Sequence, residues 1–179
     1  MFVLLAIPIG VVLGLLLRGR LDRLATLGFA WPWLAVAGLA VQVLIFSPAL
    51  ADRIDANVGA AIYVASTAAV LIAVLRNLRL PGMALVALGA VSNLAAVVAN
   101  GGVMPTTASA LAAAGLGPAD GFSNTAVLAD PRLAPLTDVF AIPAGLPLAN
   151  VFSVGDVLIG VGIALVVALG MRDRAVQPA

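Results

Sequence analysis

The 179-residue chain is 63% hydrophobic and 9% charged, with a mean hydropathy of +1.19 and a formal net charge of +1. A soluble domain carries about 25% charged residues, so the solvent expected for most of this surface is lipid. There is no His, Cys or Lys. Thiolate and imidazole chemistry, the common zinc and haem ligands and the Schiff-base amine are therefore excluded, and without a basic tract nucleic acid is not an expected partner.

A spanning helix takes roughly 17–25 mostly apolar residues, and five segments are read as such spans. The first is 2–17, which holds Gly10-x-x-x-Gly14. Arg18, Arg20 and Arg23 follow this run instead of preceding it, so it reads as a retained span with an external N-terminus and not as a cleaved signal. The second is 29–50, entered through Trp31-Pro32-Trp33 and carrying Gln42; the third is 58–75, with Tyr63, Ser66 and Thr67. The fourth is 80–99 and the fifth 154–171, with Gly155, Gly160, Gly162 and Gly170. Polar side chains inside these runs read as interhelical hydrogen-bond partners. Arg76 and Arg79 lie between spans three and four, and Arg172 and Arg174 follow span five. Only Arg53 and Arg132 fall on the opposite side, so the chain is expected to run N-terminus out and C-terminus in.

The remaining piece, 101–152, holds six of the eleven prolines and only four charges, Asp120, Asp130, Arg132 and Asp138. It reads as an extracytoplasmic cap folded on the mouth of the bundle. Within it "TASALAAAGLG" predicts a short helix capped by Thr106 or Thr107 and ended at Gly115 or Gly117. Arg132 is expected to pair with Asp130 or Asp138. No internal repeat is visible, and five spans do not divide into two inverted halves. The expectation is a single domain over 1–179, all-α, an integral membrane bundle of five transmembrane helices with a Pro-rich cap between helices four and five.

The candidate site lies where span four ends and span five begins. Asn93 and Asn100 are seven residues apart, hence on one helical face and about 10 Å apart in depth. Asn93 alone reads as interhelical glue. Asn100-Gly101-Gly102 followed by Pro105 reads as a helix stop, with Gly101, Gly102 and Pro105 in structural roles. Ser153-x-x-Asp156 fits a capping box at the start of span five. Both helix ends face outward, so Asn93, Asn100, Asn150, Ser153 and Asp156 are expected to converge near the outer face, with Asp138 joining from the cap. Such a set suits a cation or the headgroup of a lipid or other amphiphile.

The order and spacing of Asn93, "NGGVMP" (100–105), "LTD" (136–138) and "LANVFSVGD" (148–156) resemble an uncharacterised bacterial family of small multi-pass membrane proteins, a domain of unknown function. The resemblance implies a polytopic protein of the bacterial cytoplasmic membrane and brings no activity, cofactor or catalytic residue. Three readings stay open: a non-enzymatic binder or carrier of a lipid or amphiphile at the outer face, a structural subunit packing on a membrane partner or a second copy, and a membrane-embedded enzyme using Asp156 or Asp138 as base. No metal or cofactor is expected.

Overall fold

A computed structural model describes residues 2–117 and 123–172. Asp120, Pro118 and Arg174 lie outside the described residues. A 3-10 turn (Phe2–Leu5) leads into α1 (Ala6–Leu16), and a second (Leu21–Thr26) precedes α2 (Pro32–Ile45). A one-turn α3 (Pro48–Ala51) separates α2 from α4 (Ala56–Leu75), followed by α5 (Met83–Ala99). The segment beyond carries β1 (Met104–Thr106), α6 (Ala108–Ala113), β2 (Thr125–Val127), β3 (Phe140–Ile142) and β4 (Asn150–Phe152), and α7 (Val154–Gly170) follows it.

The helices form where the apolar runs predict them, but the runs are longer than the helices. Phe29–Leu50 is cut at Ser47-Pro48, because proline cannot continue the ladder of α2 and starts a new turn instead. Pro81-Gly82 delays α5 to Met83. Among the described residues only α4, 20 residues, is long and apolar enough to cross a bilayer by itself; it spans about 30 Å at 1.5 Å per residue. The five predicted spans are not supported as such. Nor is the fold all-α: the described residues are mostly helical with four short strands. In the Pro-rich segment extended stretches pair with each other, β1 parallel to β2 and β3 antiparallel to β4, so their backbone groups do not go unpaired. The predicted short helix is present as α6, with Thr107 Oγ1 accepting from the Ala110 amide at 3.1 Å and Gly115 in the left-handed region at φ 67°.

The five longer helices pack in the order α2–α4–α5–α7–α1. They form a row with α1 and α2 at its ends, which leaves large apolar side chains uncovered: Leu16, Val36 and Val43 are 74%, 65% and 72% exposed. What the row buries lies along its middle. Val74, Leu80, Met83 and Val86 pack with Ile159 and Val166 at one end, and Ala96, Val97 and Met104 pack with Tyr63 and Leu136 at the other. Gly10 and Gly14 let α1 lie against Ala164, Val167 and Met171 of α7 and its end, so this small-residue pair is used inside the chain. Gln42 Nε2 donates to Thr67 Oγ1 at 3.2 Å between α2 and α4 as expected, whereas the Ser66 hydroxyl turns back onto the Tyr63 carbonyl of its own helix.

Charge is divided between the two ends of the row. The Arg20 amide donates to the Met171 carbonyl and Asn77 binds Ala30, which gathers the end of α1, the start of α2 and the ends of α4 and α7. Arg18, Arg20, Arg23, Arg76, Arg79 and Arg172 lie at this end with Asp22 as the one described acid. Asp52, Asp55, Asp130, Asp138 and Asp156 lie at the other, with Arg53 and Arg132.

Candidate functional site: a polar lock beneath the cap

Ser153 ends β4 and caps α7. Its hydroxyl accepts from the Asp156 amide at 3.0 Å, and Asp156 Oδ2 accepts from the Ser153 amide at 3.0 Å, a reciprocal capping box. Asn93, one helix away on α5, completes a ring. Its Nδ2 donates to Asp156 Oδ1 at 2.8 Å and its Oδ1 accepts from the Ser153 hydroxyl at 2.9 Å. Ser153 is wholly buried. Every polar atom in the ring has a partner, and through these bonds Asn93, Ser153 and Asp156 tie α5 to α7. Close approach of the two helices makes the ring possible. A Cβ on Gly155 would overlap Asn93 Oδ1, and one on Gly89 would overlap the Gly155 carbonyl.

Asn100 does not join this ring. Its Nδ2 donates to the Ala96 carbonyl at 2.7 Å and to the Arg132 carbonyl at 2.8 Å, while its Oδ1 accepts from the Arg132 amide at 2.8 Å. Asn100 thus reads one residue of the cap by backbone alone and staples it to the end of α5. Gly101 and Gly102 close that helix with φ 73° and 92°, the Gly102 amide returning to Val97 at 2.9 Å. The "NGG" ends a helix and holds the cap down. Pro105 is fully buried and its carbonyl accepts from the Asp138 amide at 2.9 Å. Asn150 pairs in β4 with Ile142 and makes no side-chain hydrogen bond to the ring among the described residues. The expected ion pair of Arg132 with Asp130 or Asp138 is not formed: Arg20–Asp22 is the only one among the described residues, and what holds Arg132 is the Asn100 clamp on its backbone. Replacing Asn100 by Ala is expected to cost about 1–3 kcal/mol through the unpaired backbone groups. It should also speed hydrogen exchange at the Arg132 amide, and unchanged exchange there would contradict the clamp.

Asp138 is the one predicted residue left with chemistry to spare. It is 8% exposed, and its backbone is held by Pro105 and by the Thr106 hydroxyl at 2.9 Å. Its carboxylate has no hydrogen-bond partner among the described residues. Burial pushes this carboxyl up to about 7, and the Asp156 charge adds to the rise. Tyr63 of α4 lies in the field of both acids. No group of three or more acidic side chains assembles for a metal among the described residues.

Sequence reasoning missed Asn77. It is 1% exposed and repeats the Asn100 device at the other end of the row. Its Oδ1 accepts from the Ala30 amide at 2.7 Å, and its Nδ2 donates to the Ala30 and Ala73 carbonyls at 2.8 and 2.6 Å. The signal was available: each Asn lies within two residues of a helix end and bonds the carbonyl four residues back. Two open apolar grooves flank the row. One, of about 320 Å³, lies between α2 and α4 and is lined by Leu34, Ala37, Val41, Ile62, Ala65 and Ala69. The other, of about 150 Å³, lies between α1 and α7 over Ile9, Gly160 and Ala164.

A family profile described as a family of unknown function, DUF5317, matches residues 26–168. The chain belongs to that family. No curated protein and no solved structure matches it.

Proposed function

We propose that this member of the DUF5317 family is an integral membrane protein that seats the apolar chain of a lipid or similar amphiphile in the groove between α2 and α4, without catalysing a reaction on it. The observation that carries this reading is an apolar groove of about 320 Å³ open along a row of helices whose outer faces are themselves apolar. In water that surface would be an aggregation liability; in lipid it is the solvated state. α4 has the length to cross, and α5 and α7, 17 residues each, sit at the lower bound, so a locally thinned bilayer accommodates the row. The arginine-rich end faces the cytoplasm and the 101–152 cap faces out. An enzyme reading has less support, because both oxygens of Asp156 are spent on Ser153 and Asn93. The α1–α7 groove favours a second reading, an accessory subunit that receives a partner helix there.

The two tryptophans offer the test, since Trp31 and Trp33 enter α2 beside Leu34 at one end of the groove. In non-ionic detergent, a phosphatidylcholine brominated on its chains is expected to quench their fluorescence saturably at about one equivalent, as a single site requires. Ala65→Phe, which fills the groove from its exposed wall, should abolish saturation. Quenching that rises without saturating, or that survives Ala65→Phe unchanged, would contradict the groove.

A further inference from the structure

At the outer face Asn93, Asn100, Ser153 and Asp156 bind one another and the cap. The opposite end of the same groove supplies the complementary chemistry. Asn77 grips both backbone groups of Ala30, and this fixes the next residue, Trp31, in the left-handed region at φ 57°, a conformation a bulky side chain holds only when its surroundings impose it. So placed, the Trp31 ring receives the Arg76 guanidinium 4.6 Å from its centroid. Arg79 follows Arg76 by three residues, just past the end of α4, and both are exposed. No carboxylate pairs with either among the described residues, the nearby acid Asp22 being taken by Arg20 at 2.7 Å. Ala69 of the groove and Arg76 are seven residues apart, hence on one face of α4 with about 10 Å between them along the axis. That is about two helical turns, the step from a phosphate at the membrane surface into its own acyl chain.

We propose that Trp31, Arg76 and Arg79 form the headgroup site of the α2–α4 groove and that its occupant is an anionic phospholipid. The chain lies along Ala37, Ala65 and Ala69, the phosphate lies against the two guanidiniums, and the Trp31 ring holds Arg76 in place. A guanidinium stacked on an aromatic ring has lost part of its freedom beforehand and keeps its planar donors free for phosphate oxygens. Asn77 acts as a positioning residue: it touches no lipid and sets the Trp31 backbone. This inference rests on the groove reading above, and its failure is separable from that one.

Native mass spectrometry of the full chain in non-ionic detergent, titrated with phosphatidylglycerol and with phosphatidylcholine of the same chains, is the test. The expected result is one retained phosphatidylglycerol, preferred over phosphatidylcholine by roughly 10- to 30-fold, the scale that two arginines supply near anionic lipid. In the Arg76→Gln/Arg79→Gln double variant the preference should vanish while phosphatidylcholine binding is kept. Arg53→Gln, at the far end of the row, should retain the full preference. Wild-type protein that binds the two lipids equally would overturn the headgroup site and leave the groove standing. Binding of neither lipid would overturn the groove and the headgroup site together. A preference lost equally in Arg53→Gln would also overturn the site, since it would report net charge and not position.

Discussion

Replacing Gly155 by alanine will cost about 3–5 kcal/mol, the sum of overpacking and of a broken buried hydrogen-bond ring. The added methyl falls on Asn93 Oδ1 and lies 2.9 Å from the Gly89 carbonyl, neither of which can retreat without separating α5 from α7. If Asn93 swings away, Ser153, itself fully buried, loses its acceptor at 2.9 Å and the half-buried Asp156 loses its donor at 2.8 Å. If the helices part instead, the packing of Val86 on Gly162 and Ile159 opens as well. Gly28 provides the control. Nothing lies within 4 Å of a Cβ built there, so Gly28→Ala should change stability little or raise it. Unfolding by SDS titration in mixed micelles, followed by helical circular dichroism, measures both variants. Equal midpoints for the two would mean that the ring does not tie the helices.

Asp138→Asn is expected to stabilise the protein, and only at higher pH. The folded carboxyl titrates at about 7 against an ordinary value of 3.8 because the group is buried and faces the Asp156 charge. A proton held more tightly in the folded state favours folding at low pH. Its contribution is complete below pH 3.8, declines as pH rises, and is gone above pH 7. The gap between the two values corresponds to at most about 4 kcal/mol, at 1.36 kcal/mol per pH unit. An uncharged asparagine escapes this penalty, so the variant and the native chain should match near pH 4 and diverge by about 2–4 kcal/mol at pH 8 once unpaired amide hydrogens are counted. Stability curves that run parallel from pH 4 to pH 8 would contradict a buried acid beneath the cap that has no hydrogen-bond partner among the described residues. Residue types and spacing place Asp138 in the cap near the site, but not its burial, which comes with the bridge between Thr106 and Asp138.

Local chemistry was legible in the sequence wherever it acts within one turn. The Ser153–Asp156 box, the Thr107 cap and the Gly101-Gly102 helix end are all where residue types and spacing place them. Asn93 as interhelical glue was legible too, since a buried amide in an apolar helix must find a partner. What sequence did not disclose is pairing across distance. Asn100 meets Arg132 across 32 residues and Asn77 meets Ala30 across 47, both through backbone atoms that every residue carries. The strands of the cap escaped notice for a related reason: three residues show no alternation, and "MPT" contains a proline. Helix lengths were overread because hydropathy continues through Ser47-Pro48 and Pro81-Gly82 while the hydrogen-bond ladder does not.

On the proposed membrane reading the helical row lies in lipid with its charge divided between the two ends, and a sequence without cysteine makes this directly measurable. Single cysteines at 53 and 130, at 79 and 172, and at lipid-facing 43 can be probed with a membrane-impermeant maleimide in intact cells and after lysis. The account predicts labelling of 53 and 130 in intact cells, of 79 and 172 only after lysis, and of 43 in neither. Equal labelling of all five before lysis, or of 79 and 172 but not 53 and 130, would contradict it.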